Sequence, residues 1–209
     1  ISGHLENQSG DRLTSYSGEI IHIVFDKEKN LQTLANDGGS PMEFRRRSNI
    51  LYKGKATVEN GNFSFSFYTP KDISYVSGKG KISYYSENGE TDAHGSTKSI
   101  VIGGISDQFV NDTAGPDIQV YMNDSLFRDG GITDKNPELL VYIEDAYGVN
   151  TTGNGIGHDI TATMNEDRLN AVILNAYYQA DINRYGSGSV RYPYSDLEPG
   201  KHTVQVKVW

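Results

Sequence analysis

Apolar residues recur along this chain at every second position, and almost nowhere at the three-to-four spacing of a helix. The clearest case begins at Tyr52 and runs to Glu59, meets Asn60-Gly61, and continues with Phe63, Phe65 and Phe67 alternating with Asn62, Ser64 and Ser66. Asn-Gly favours a two-residue turn in which both residues take positive φ, so this segment predicts a hairpin with three Phe on one buried face, ended by Pro70. Glu19 to Phe25, Gly80 to Ser86 and Lys98 to Ile102 read as further strands, separated by Gly, Asn and Asp clusters. A second series follows: Asp117 to Met122, with Ile118, Val120 and Met122 on one face, then Leu139 to Ile143, Ile160 to Met164 and Lys201 to Trp209. In the last of these, His202, Val204, Val206 and Val208 share a side. Asn150 to Gly157 and Tyr185 to Gly188 read as turns, and a short turn near Arg168 to Leu174 is the one helical element expected.

Between the two series, Gly103-Gly104 through Gly115-Pro116 has few apolar residues and carries Asp107, Asn111, Asp112 and Thr113. The pattern therefore predicts an all-β chain of two tandem β-sandwich, Ig-like domains. Residues 1–105 form the first, 106–115 a linker and 116–209 the second. The last strand alternates up to Trp209 with no turn or polar tail after it. The second domain is accordingly expected to be truncated at its C-terminal end, with the natural protein continuing.

Composition narrows the function classes. The chain has 209 residues, is rich in Gly and Tyr, and has no cysteine. Its formal charge of −8 has no basic counterweight beyond Arg45-Arg46-Arg47, which argues against nucleic acid as a partner. No stretch approaches the roughly 18 apolar residues that span a bilayer, and no charged-then-apolar leader opens the chain. Either the protein is cytosolic or its targeting segment lies outside this sequence. Missing thiols do not decide between these, since disulfides are optional in exported proteins.

Specific residues carry a resemblance. Gly115-Pro116-Asp117-Ile118, Tyr121-Met122-Asn123-Asp124, Gly130-Gly131, Asn136-Pro137, Asp145, Gly148-Val149-Asn150 and Gly155-Ile156-Gly157-His158-Asp159-Ile160 resemble one region of a known family. It is the region after the catalytic domain in the C-terminal signal peptidases, or sortases, of the Bacteroidetes type IX secretion system, the PorU-like proteins. Val24-Phe25-Asp26-Lys27, Leu51-Tyr52-Lys53-Gly54-Lys55-Ala56 and Pro70-Lys71-Asp72-Ile73 are similar to the neighbouring domain of that family. The resemblance implies an upstream gingipain-like cysteine peptidase domain with a Cys-His pair that removes C-terminal sorting signals from secreted cargo. It implies as partners that peptidase domain, an outer-membrane β-barrel and the cargo signals, at the outer face of the outer membrane. A chain without cysteine supplies no thiolate, so no catalytic residue is expected here.

His158-Asp159 has the composition of half a catalytic triad, but adjacent residues of a strand point to opposite faces, which favours a structural imidazole. His4, His22, His94 and His202 lack metal-ligand spacing, so neither a metal nor another cofactor is expected. Asp26, Glu28, Asn30, Gln32 and Asp37 have only a faint calcium-loop pattern, with Leu31 where the loop needs Gly. Asp107, Asn111, Asp112 and Asp117 form a second acidic candidate, against a solvated loop. Thr113 and Ser125 fit the Asp-Ser/Thr-apolar pattern of Bacteroidetes O-glycosylation. Arg45-Arg46-Arg47 suits either a lipopolysaccharide phosphate or a solvated loop. Tyr177, Tyr178, Tyr185, Tyr192 and Tyr194 fall within 18 residues, a density that suits a docking or sugar-stacking surface and equally half-buried packing.

Two functional classes follow: an accessory region that supports or docks a sortase, and a glycan-binding or adhesin-like tandem β-module of a surface protein. A glycosidase is a third, since Asp and Glu are plentiful but no two can be set across a cleft from sequence.

Overall fold

The computed structural model describes residues 1–71, 73–107, 112, 114–152 and 158–209. In chain order the strands are β1 (Ser2–His4), β2 (Gly18–Phe25), β3 (Lys29–Gln32), β4 (Glu43–Arg46), β5 (Ile50–Glu59), β6 (Asn62–Ser64), β7 (Gly78–Lys79), β8 (Lys81–Glu87), β9 (Asp92–Thr97) and β10 (Val101–Ile102). They continue with β11 (Asp117–Met122), β12 (Glu138–Glu144), β13 (Thr161–Met164), β14 (Val172–Ile173), β15 (Tyr178–Ala180), β16 (Ser187–Pro193) and β17 (Val204–Lys207). Two 3₁₀ turns, Arg168–Asn170 and Asn175–Tyr177, are the helical elements among the described residues. The protein is all-β, built of antiparallel sheets in the manner of a β-sandwich.

The strands up to residue 102 form a six-stranded sheet in the order β1-β6-β5-β2-β8-β9, with the small pairs β3-β4 and β7-β10 beside it. Those from residue 117 onward form a four-stranded sheet, β11-β12-β16-β15, and a three-stranded one, β14-β13-β17. Alternation places Ile20, His22 and Val24 of β2 in the interior, and Leu139, Val141 and Ile143 of β12 likewise. One buried apolar cluster runs through both sets, from Leu5 and Tyr16 to Tyr178 and Val190.

The hairpin expected at Asn60-Gly61 is present, with φ of 50° and 72° at its two residues. Gly61 is buried, and a Cβ there would stand 2.4 Å from the Leu13 carbonyl oxygen. Gly61→Ala is therefore expected to destabilise by more than about 1 kcal/mol, since left-handed backbone and a main-chain clash act together. A urea midpoint equal to wild type would contradict this.

The returning strand is shorter than the Phe alternation predicts. β6 ends at Ser64, not at Pro70. Phe65 is buried while Phe63 and Phe67 are half-buried, so the three rings do share a face. The ladder stops because the edge of β5 between Lys53 and Thr57 is taken by the second half of the chain, through a parallel bridge from Lys55 to Ile182. The strand expected over Lys98 to Ile102 is confined to Val101–Ile102, while the polar Asp92–Thr97 forms the edge strand β9. Tyr185 to Gly188, read as a turn, instead leads directly into β16.

Candidate functional site: the junction between the two sheet sets

Asn183 fastens the junction. It sits in left-handed backbone at φ 56°, a conformation that Asn tolerates better than most residues. Its N–H donates to the Lys55 carbonyl at 2.9 Å. The Thr57 N–H donates to its Oδ1 at 3.0 Å, and its Nδ2 donates to the Thr57 hydroxyl at 2.8 Å. Two of these bonds satisfy main-chain groups on an otherwise open strand edge, and the third ties the Asn183 amide to the Thr57 side chain.

Beneath this edge lies an aromatic stack. The His22 ring lies 3.7 Å from the Phe65 ring, nearly parallel, and Tyr52 stacks on Phe67 at 4.9 Å. Gly54 makes the room, since a Cβ there would meet the Tyr52 hydroxyl at 2.6 Å and His22 Nε2 at 3.1 Å. His22 is fully buried, and neither ring nitrogen has a hydrogen-bond partner among the described residues. Burial lowers its pKa to about 4. Burial likewise pushes the Tyr52 hydroxyl up to about 12. A cleft of about 500 Å³ opens above, lined by Tyr52, Lys55, Phe65 and Asn183 among others.

The five tyrosines expected to form one surface are divided. Tyr178, on β15, is 2% exposed, its ring lying over Gly188, and its hydroxyl is buried without a partner among the described residues. It offers no face to a partner. Tyr185 is half-buried and meets Tyr68 of the first half edge-on at 5.4 Å, so it belongs to the junction. Tyr177, Tyr192 and Tyr194 form an edge-to-face row at 5.0 and 5.1 Å, with Tyr192 and Tyr194 packed against the core and Tyr177 44% exposed. The sequence brings these rings close along the chain, but strand alternation and the chain reversal at residues 181–186 send them to different places.

The remaining candidates are separated as well. Asp159 Oδ1 accepts from Asn175 Nδ2 at 3.0 Å, while the His158 ring lies 5.0 Å from that of Trp209. Asn175 also donates to the Thr151 carbonyl and accepts from the Ile160 N–H, so this cluster holds a loop onto β13. Asp26 is buried 3.0 Å from the Lys27 ammonium, and Glu28 pairs with Arg47 and Arg45, so both carboxylates at the start of the faint calcium pattern are taken up by cations. Among the described residues no three His, Asp or Glu side chains gather as metal ligands. Ser125 is exposed in the turn after β11, where Asp124 Oδ1 accepts from the Leu126 N–H. Thr113 lies outside the described residues, as does Asn111 of the second acidic group. Sequence reasoning missed Asn183, whose only signal is an Asn between apolar segments, and Gly188, whose role depends on Tyr178 lying across it.

No family model matches the chain, and no curated protein matches it. Among solved structures, the chain is similar to the crystal structure of dimeric latent PorU from Porphyromonas gingivalis, with a TM-score of 0.52 and 31% identity. The match covers 98% of this chain and 19% of that one. Nearly the whole of this chain thus resembles, in fold and sequence, a region spanning about a fifth of PorU.

Proposed function

We propose that this chain is the non-catalytic β-sandwich region of a type IX secretion sortase, supporting and docking an upstream cysteine peptidase domain that removes C-terminal signals from secreted cargo. The observation that carries this reading is the 31% identity to PorU maintained across 98% of the chain. A chain without cysteine provides no thiolate nucleophile, so the region's contribution is architectural. The shared core and the Asn183 staple suit a support, because they tie one sheet set to the other. The same reading assigns residues 1–105 and 116–209 as two units joined by 106–115, places the parent at the outer face of the outer membrane and supplies an outer-membrane β-barrel as a partner.

Two measurements test it. The reading frame upstream of Ile1 is expected to encode a Cys-His peptidase domain, and its absence would favour the glycan-binding module instead. The isolated chain, incubated with a cargo C-terminal signal peptide, is expected to leave it intact by mass spectrometry. A specific cut that survives repurification would overturn the non-catalytic assignment.

A further inference from the structure

A concentration of positive charge lies away from the junction, in a cleft of about 670 Å³ between the β3-β4 arm and β7. That volume is within the range of small-ligand sites. Among the described residues five cations line it, Lys27, Arg45, Arg47, Lys79 and Lys98, with Glu28 as the one carboxylate and no aromatic or aliphatic side chain. The elements that bring them together are distant in sequence. Lys27 follows β2, Arg45 belongs to β4 with Arg47 just beyond it, Lys79 belongs to β7, and Lys98 follows β9.

The internal pairings leave a surplus. Lys27 is tied to Asp26 at 3.0 Å and donates to the Ser74 carbonyl at 2.9 Å, its stem lying against Gly78, where a Cβ would stand 2.7 Å from its Cδ. Glu28 Oε1 meets Arg47, and its Oε2 lies 3.6 Å from Arg45, so one carboxylate orients two guanidiniums. The Arg47 Nε–H is buried without a partner among the described residues. Lys79 and Lys98 are exposed and have no ion pair among the described residues. After Asp26 and Glu28 are counted against the five cations, three positive charges remain uncompensated among the described residues, in a chain whose formal charge is −8.

We propose that this cleft binds a phosphate-bearing ligand. A single carboxylate offers one charge and two oxygens, too few for a guanidinium and two ammonium groups. A phosphoryl group carries close to two charges at neutral pH and presents three acceptor oxygens, which match that donor set. The polar lining selects the phosphoryl group itself over a base or an acyl chain. This site is independent of the sortase reading.

The test is titration calorimetry of inorganic pyrophosphate into the full chain at fixed ionic strength. Parallel titrations use Lys79→Gln/Lys98→Gln and Arg45→Gln, whose side chains project into solvent. Saturable one-to-one binding is expected, weakened about tenfold or more in each variant, the scale of a lost charge-assisted bond. Midpoints of unfolding without ligand should stay at the wild-type value. Flotation with phosphatidylcholine vesicles, with and without phosphatidic acid, separates the sources. Capture that needs phosphatidic acid and is lost in both variants, with pyrophosphate silent, assigns the phosphoryl group to a lipid head. Pyrophosphate binding assigns it to a soluble ligand. Silence in both arms, or equal binding by wild type and both variants, would overturn the proposal.

Discussion

Replacing Tyr178 by Ala is expected to destabilise the protein by about 3–5 kcal/mol, the range for truncating a large core ring. Tyr178 is 2% exposed, stands opposite Val190 in the β15-β16 ladder and lies over Gly188, where a Cβ would be 2.6 Å from its hydroxyl. Its neighbours are closely fitted strands that cannot collapse into the space it leaves. For a chain of this size the loss corresponds to a fall of about 10 °C in thermal midpoint. Tyr178→Phe separates ring from hydroxyl. Burial, with Tyr52, Asp181 and Asp145 nearby, pushes the hydroxyl's pKa upward, and no partner among the described residues accepts its proton. Removing that group should therefore cost little or stabilise slightly. Tyr177→Ala, at a ring 44% exposed, should change stability by about 1 kcal/mol or less. Urea denaturation of the three variants checks the series. A wild-type midpoint for Tyr178→Ala would place the ring on the surface and restore it as a docking residue.

The second large effect is a pH dependence that resides in His22. Its folded pKa is near 4, against 6.5 for an unperturbed imidazole. Between those values the unfolded chain binds more protons than the folded one, so stability rises with pH through that window. The contribution is complete above about pH 6.5 and is lost as pH falls toward 4. A shift of this size corresponds to at most about 3 kcal/mol. His22→Phe is the informative variant because a benzyl ring can take the same stack on Phe65 without two unpaired buried nitrogens. It should be more stable than wild type at pH 5 and show a flat stability profile from pH 6.5 to 4.5. Below that, carboxylates take over in both proteins. An unchanged slope in the variant would show that the acid sensitivity arises elsewhere, and the buried histidine would then be electrostatically silent.

Much of the fold was legible because alternation is a local property. Ile20, His22 and Val24 declare β2, and Leu139, Val141 and Ile143 declare β12, since a strand half-buried in a sheet needs an apolar residue at every second position. Asn60-Gly61 declared its hairpin through the backbone freedom those two residues have. Two of the strands that escaped have the opposite character. Asp92–Thr97 and Ser187–Pro193 are rich in Gly, Ser and polar residues, and they become strands only because a partner strand satisfies their main chain.

The site follows the same division. The sequence by itself determined an all-β chain with no thiol nucleophile, dense tyrosines after residue 176 and one basic run. Tertiary structure decided what those residues do. It buried Tyr178 over Gly188, turned Tyr185 toward Tyr68 and left Tyr177 partly in solvent, because strand alternation and a chain reversal separate rings that are neighbours in sequence. It also drew Lys27, Lys79 and Lys98 to Arg45 and Arg47 from four separate segments. Charge acts through space rather than along the chain, so a cationic cleft in an acidic protein exists only once the sheets have closed.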